Sequence, residues 1–105
     1  MEIEYKFNEA EILARLKDYI DGTYEQHYSM NKIQSTEFIF DADQGEGFCI
    51  GNIIKYAQRF GKKDGKNDKD LYKVIHYAVI LLGSIQEDSE RAFIDYDEQM
   101  QMDSD

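Results

Sequence analysis

Residues 47–82 constrain the fold more than any other stretch, because they hold two helical patterns joined by a short lysine-rich turn. Apolar side chains recur at helical spacing over residues 48–60 and again over residues 71–85. Gly61 falls where the first pattern stops, as a glycine does just beyond the end of a helix. These features predict a helical hairpin.

Each helix of this hairpin carries an apolar row and a polar row. The predicted apolar rows are Phe48, Ile50, Ile53, Ile54, Ala57 and Phe60, then Leu71, Val74, Ile75, Ala78, Leu81, Leu82 and Ile85. The polar rows are Asn52, Lys55, Arg59 and Lys62 or Lys63 on the first helix, and Asp70, Lys73 and Tyr77 on the second. The second helix is expected to be capped by Asn67 or Asp68. If the two helices form a hairpin about residues 62–68, the polar rows are expected to converge at its mouth.

The remaining residues predict further helices. Asn8 is placed as the N-cap of a helix with Glu9 and Glu11 in its first turn, and Gly22 is a plausible end. Residues 29–34 are expected to form a polar connection. Ser35 then caps one or two helical turns, with a strand as the weaker alternative.

The chain contains no proline, so long helices are allowed throughout. We predict an all-α fold, a bundle of three main helices and one short helix, in a single domain over residues 1–105. The helical pattern of the hairpin extends into an acidic segment, residues 87–105, whose last six or so residues are expected to fray.

Positive charge is concentrated in the hairpin of an otherwise acidic protein. Residues 47–82 carry seven basic side chains against three aspartates, a balance of +4, whereas the net charge of the whole chain is −10. An acidic protein repels DNA, RNA and anionic membranes over most of its surface. The basic segment therefore favours a small anionic ligand over nucleic acid.

Other functional classes lack their sequence features. No apolar run is long enough for a membrane span, and the acidic N-terminus lacks the basic and apolar regions of a signal peptide. The one cysteine, Cys49, allows no internal disulfide and is expected to be a small buried apolar residue. The chain has no P-loop, dinucleotide fingerprint, HExxH or GxSxG motif. His27 and His76 are too far apart in sequence for a dedicated zinc site.

The polar rows are the remaining chemical feature. Arg59 offers a planar fork for two phosphate oxygens, and the lysines offer mobile charges. Asn52 can recognise a base edge or a sugar hydroxyl, and Tyr56 or Tyr77 can stack on a base. The same lysines would also suit a plain solvated surface at a helix end. From the residues alone, both interpretations stay open.

Residues 27–82 resemble a widespread family of small bacteriophage proteins, the SaV-like proteins, whose module is also found in the C-terminal part of the phage T7 nucleotide kinase. The resemblance rests on His27-Tyr28, on IQSTEFI at 33–39, on GFCIGNIIKYAQRFGKKDG at 47–65, and on Asp70-Leu71-Tyr72-Lys73 with Tyr77. It implies a phage protein that acts in the cytoplasm of the infected bacterium.

The resemblance implies a binding site formed by the residues that match the family pattern. The residues implied to bind substrate are His27, Tyr28, Asn52, Lys55, Tyr56, Arg59, Lys62, Lys63, Lys73 and Tyr77. Arg59 and Asp70 are the implied catalytic residues, with Mg²⁺ held mostly by the bound nucleotide and no metal site in the protein itself. His27 retains a structural alternative, a hydrogen-bonded residue before a tyrosine.

Three hypotheses follow. The first is a nucleotide-binding phage enzyme, such as a deoxynucleoside monophosphate kinase, with sites shared between the subunits of a homo-oligomer. The second is a non-enzymatic anti-host protein that sequesters a nucleotide signal, or that binds a host protein through its acidic surface. The third is a helical module that assembles with itself or with another phage protein, its basic residues only solvated.

Overall fold

The computed structural model describes residues 2–25 and 29–103, with side-chain environments for residues 2–25 and 30–90. It contains four helices, α1 (Glu9–Glu25), α2 (Ser29–Asp41), α3 (Gly45–Arg59) and α4 (Asp68–Asp103). The described ranges contain no strand, and the predicted all-α fold is confirmed. Within these ranges, none of the helices has the length and apolar character that a membrane crossing requires.

The start of α1 differs from a simple side-chain cap. The Asn8 carbonyl accepts the first helical hydrogen bond, from the Ile12 N–H at 3.0 Å, as predicted for the residue before the helix. Its side-chain amide instead donates to Glu11 Oε2 at 2.8 Å. Glu9 also reaches back to accept the Phe7 N–H at 2.7 Å. The two acids of the first turn therefore hold the residues before the helix, where the helix dipole favours negative charge.

The second helix is longer than predicted. The expected connection at 29–34 is helical, and Ser35 lies inside α2 rather than at its start. Half-buried Ile33 and Ile39 explain the difference, because apolar contacts on one side of a helix outweigh the weak helix preference of its polar residues. At the end of α2 the Phe40 ring lies directly against the backbone of Gly45, where a side chain would collide with it.

The turn between α3 and α4 follows the prediction. Gly61 has a φ of +85°, a left-handed conformation that glycine adopts without strain. Its N–H donates to the Gly65 carbonyl at 3.0 Å, closing the turn. Asn67 caps α4, since its side-chain oxygen accepts the Lys69 N–H at 3.0 Å. Helix α4 then continues to Asp103, past residue 100, where fraying was expected.

The most extensive packing joins α3 to α4, while α1 and α2 add smaller contacts around this hairpin. The faces in contact are not the predicted ones. On α3 the inner side carries buried Cys49 with half-buried Asn52, Tyr56 and Arg59, whereas Ile50, Ile54 and Ala57 are exposed. On α4 the predicted polar row lies on the inner side.

The outer side of α4 carries much of its predicted apolar row, namely Leu71, Ile75, Leu82 and Ile85. Both predicted apolar faces were therefore wrong in part.

Candidate functional site

A buried ion pair lies between α3 and α4 where the two helices approach the turn. Asp70 is only 2% exposed, and its Oδ1 lies 3.7 Å from Arg59 Nε. That distance is too long for a hydrogen bond. Among the described contacts, neither Arg59 Nε nor Asp70 Oδ2 has a hydrogen-bond partner, although both atoms are buried. The pair is thus held by charge alone and retains unused hydrogen-bonding capacity.

Three cations surround the ring of Tyr56, one turn before Arg59 on α3. The distances to the ring centroid are 4.7 Å for Lys73 Nζ, 5.2 Å for Lys55 Nζ and 5.9 Å for Arg59 Cζ. Each lies within range of a cation–π interaction. We call Lys55, Arg59 and Lys73 the basic cluster. Lys73 comes from α4 and the other two from α3, so the hairpin itself brings the charges together.

Charge within the basic cluster is incompletely balanced. Asp70 pairs with Arg59, but among the described residues neither Lys55 nor Lys73 forms an ion pair. Three like charges around one half-buried ring repel one another, and one carboxylate offsets only part of that repulsion. An added anion would stabilise this arrangement.

Aromatic rings form the inner wall of the basic cluster. The Tyr77 ring lies nearly parallel to Tyr56, with centroids 6.2 Å apart, and meets Phe48 edge to face at 5.7 Å. Burial, with smaller contributions from Tyr56, Tyr19 and Cys49, raises the pKa of Tyr77. Its phenol therefore stays protonated at neutral pH and can donate a hydrogen bond. Sequence analysis placed Phe48 in the apolar row and missed its contact with Tyr77.

Asn52 lies one turn before Tyr56 on the same inner side. Its amide nitrogen donates to the Phe48 carbonyl at 2.9 Å, which holds the side chain against its own helix. The amide oxygen still has acceptor capacity for a base edge or a hydroxyl. The amide nitrogen of Asn52 therefore has a structural role, and its oxygen is available to a ligand.

The remaining predicted site residues divide into two groups. Lys62 and Lys63 lie in the turn after α3 with exposed side chains, and the described contacts include none with the basic cluster. His27 and Tyr28 lie outside the described residues.

A second aromatic group lies between α1 and α4. Tyr19 stacks on Tyr72 at 5.6 Å and meets His76 edge to face at 6.1 Å. Burial lowers the pKa of His76, and burial followed by the charge of Tyr56 raises the pKa of Tyr19. These contacts attach α1 to the hairpin. The helical periodicity of each segment had identified α1 and α4 but not this pairing.

The part of the chain that the structure describes contains neither a cluster of metal-ligating side chains nor a reactive thiol. No three side chains of His, Cys, Asp or Glu converge there to hold a metal ion. Cys49 is fully buried, and burial raises the pKa of its thiol, so it stays protonated as the small apolar residue predicted.

Comparisons with known proteins concern the part of the chain that includes the basic cluster. Residues 23–79 match DUF3310, a family of proteins of unknown function. The Gene 1.7 protein of Enterobacteria phage T3 is 36% identical over 63 residues, which cover 54% of this chain and 39% of that protein. The alanine–tRNA ligase of Lawsonia intracellularis is 38% identical over 47 residues, which cover 45% of this chain and 5% of the ligase. No solved structure gives a significant match.

The chain thus spans well under two thirds of either curated relative. The match to a phage T3 protein supports the prediction of a bacteriophage protein. The family match includes α3, the turn and the first third of α4, and with them Asp70, Tyr77 and the basic cluster. Because that match covers more than half of the 105 residues, the chain belongs to the DUF3310 family of proteins of unknown function.

Proposed function

We propose that this chain is a phage protein that binds a nucleotide by its phosphate groups at the basic cluster, in the cytoplasm of the infected bacterium. The observation that carries the proposal is the convergence of Lys55, Arg59 and Lys73 within 5.9 Å of the Tyr56 ring centroid, with Asp70 paired to Arg59. The oxygens of a phosphate group would accept hydrogen bonds from the ammonium and guanidinium N–H groups, and a bound phosphate would neutralise the excess charge.

The residues divide the work of binding. Arg59 presents its terminal nitrogens as a fork for two phosphate oxygens, and Asp70 holds the guanidinium from its buried side. Lys73 and Lys55 contribute mobile charges from the two helices. Tyr56 offers part of a ring face for a base, Tyr77 a phenol donor, and Asn52 an amide oxygen.

Mg²⁺ would accompany the nucleotide rather than bind first to the protein. Asp70 is the carboxylate of the site, yet at 2% exposure it is too enclosed to receive a hydrated ion. Mg²⁺ keeps several waters and often binds through substrate phosphates. We therefore assign the metal to the nucleotide, and to Asp70 the positioning of Arg59.

Turnover is the finer form of the proposal, motivated by the resemblance to the phage T7 nucleotide kinase module. The γ-phosphoryl group of a nucleoside triphosphate would pass to a phosphate oxygen of a deoxynucleoside monophosphate. The bond from the γ-phosphorus to the bridging oxygen breaks, and its electron pair leaves with the nucleoside diphosphate. Arg59, Lys55 and Lys73 would stabilise the charge on the transferring group.

The first experiment is thermal unfolding against mono-, di-, tri- and cyclic nucleotides, with and without Mg²⁺. A ligand that binds the folded state raises the melting temperature, by several degrees at about 100 times its dissociation constant. Lys73→Gln should abolish this shift, and Lys6→Gln, the same change at an exposed residue before α1, should keep it. A well-folded protein that responds to no nucleotide would exclude the proposal.

Turnover needs a separate assay. Transfer from ATP to dTMP or dGMP is expected to fall at least 100-fold in Arg59→Ala, because the fork that stabilises the transferring group is lost. Undiminished transfer in Arg59→Ala would rule out this placement of the reaction.

The second candidate is a non-enzymatic protein that sequesters a nucleotide signal from the host. The enclosure of Asp70 favours it, since the carboxylate implied as catalytic cannot approach a ligand directly. Nucleotide binding without any phosphoryl transfer across the same panel would select this function. Binding of a host protein through the acidic segment 87–105 stays a prediction, as side chains after residue 90 lie outside the described environments.

A further inference from the structure

An apolar stripe runs along the outer side of α4, away from the basic cluster. Leu71, Ile75, Val79, Leu82 and Ile85 are each between 37% and 60% exposed. Four of them, with half-buried Ala78, repeat at alternating steps of four and three residues. That is the heptad spacing by which helices pair along a continuous seam. We call these six residues the α4 seam.

Few of the described apolar side chains are buried within the chain itself. Among the described side chains, Leu16 and Cys49 are the hydrophobic residues that are buried. The radius of gyration is 18.2 Å, against about 13 Å for a compact domain of this length. The accessible area is 8930 Å², against about 6,100 Å² expected for a compact monomer of 12.3 kDa.

This excess exceeds what one partner contributes to a stable interface. A standard interface removes about 800 Å² from each side, whereas the excess here is about 2,800 Å² by the same size scaling. Part of it belongs to the length of α4, which at 36 residues extends far beyond α3 at 15. The exposed seam accounts for another part.

The charge pattern of α4 indicates which protein covers the seam. Between Leu71 and Gln86 the only formally charged side chain is Lys73, which points to Tyr56 on the other side of the helix. A second copy of this strongly acidic chain therefore meets no carboxylate along residues 71–86. The exposed charges Asp68 and Lys69 precede the seam, and the acidic residues Glu87 and Asp88 follow it.

We infer that two copies of this chain pair through α4 as an antiparallel, two-fold symmetric dimer centred near Ala78. In this register Leu71 faces the Ile85 position of the other copy, and Ile75 faces the Leu82 position. Lys69 of each copy then lies beside Glu87 of the other and Asp68 beside Asp88, whereas a parallel pair would set every one of these charges against its like. The self-complementary face satisfies the symmetry that a dimer requires. This inference stands independently of nucleotide binding.

The test is the mass in solution by light scattering and sedimentation over a concentration series. The wild-type protein should have twice the 12.3 kDa chain mass. Leu82→Lys should weaken self-association on the order of 100-fold, because each dimer would have to bury two unpaired charges. Leu82 is 60% exposed, so the helices should survive, which circular dichroism checks. The matched control Leu13→Lys, at an exposed position of α1, should stay dimeric.

Cross-linking tests the direction of pairing. A short thiol cross-linker should join Leu71→Cys to Ile85→Cys when the two variants are mixed, and should join neither variant to itself. In an antiparallel pair, residue 71 of one copy lies opposite residue 85 of the other. The two residues 71 are then 14 helical positions apart, a distance of about 21 Å, and the same holds for the two residues 85. Buried Cys49 does not compete for the reagent.

Three outcomes would overturn the inference. The wild type could be a monomer, which would leave the seam to a different protein. It could form a larger assembly, or it could form a dimer that Leu82→Lys does not weaken. Self-linking of either single-cysteine variant would overturn the antiparallel register.

Discussion

At the residue scale, the pairing of Arg59 with Asp70 links stability to the candidate site. Both partners are largely enclosed, and their closest atoms are 3.7 Å apart without a hydrogen bond. Removal of either one leaves a charge with no partner, and this usually costs more than the pair contributes as a whole. The strength of the pair is therefore best measured by removing both partners.

We expect Asp70→Ala and Arg59→Ala each to lower the free energy of unfolding by about 2–4 kcal/mol. The double variant should lose at least about 1 kcal/mol less than the sum, because neither charge is then left unpaired. Urea unfolding of the four proteins measures this coupling. Strictly additive losses would show that the two charges do not interact.

His76 gives stability a dependence on pH. Burial lowers the pKa of His76 in the folded protein, while the unfolded chain keeps the ordinary value of 6.5. Above that value both states are neutral at this residue, and stability is unaffected. As the pH falls below it, the unfolded chain takes up a proton first, so the contribution of His76 to stability is lost.

Wild-type protein should therefore lose more stability than His76→Gln between about pH 7.5 and about pH 5.5. The two proteins differ at residue 76 alone, so the difference between them isolates His76. Thermal unfolding at several pH values measures it. A larger acid-induced loss in the variant would contradict the burial of the imidazole.

At the element scale, the corner between α2 and α3 depends on a close approach of ring and backbone. Phe40 lies against Gly45 where any Cβ would collide with it, whereas the mid-helix Gly51 has open space. The same substitution should therefore have opposite effects at the two positions.

Gly45→Ala should lower the free energy of unfolding by about 1–3 kcal/mol, because the Phe40 ring must move. Gly51→Ala should raise it by up to about 1 kcal/mol, because alanine favours the helix. Chemical denaturation of the two variants measures both effects. Equal effects of the two changes would refute the packing at this corner.

At the scale of the whole molecule, charge and ligand binding should respond to salt in opposite directions. The chain has a net charge of −10, and its compact state repels itself. Raising NaCl from about 20 mM to about 200 mM screens this repulsion and should raise the melting temperature by a few degrees. A melting temperature that falls with salt would contradict this self-repulsion. The same increase in salt should weaken nucleotide binding at the basic cluster, because it screens the attraction between the cations and the phosphate groups.

Local features of the sequence predicted the helical fold and its turn well. Asn67 caps α4 and Gly61 adopts a positive φ because both depend on the chemistry of a few adjacent residues. The predicted meeting of the polar rows also has a physical basis, since a short turn forces two helices into a hairpin. The boundaries of α2 were missed because its polar first half is helical only through contacts with the rest of the chain.

The sequence did not predict which face of each hairpin helix is buried. On α3 the apolar side chains cover a broad arc, and residues on both of its edges fit helical spacing equally well. In the structure, the side of α3 with Cys49 and Tyr56 packs against α4. The aromatic rings of Tyr56, Tyr77 and Phe48 fill the space between the two helices. Ile50 and Ile54 therefore remain exposed. Periodicity and capping thus determined which segments are helices, since both act within one segment. Contacts between segments decided which side chains form the basic cluster, because burial depends on what the neighbouring helix presents.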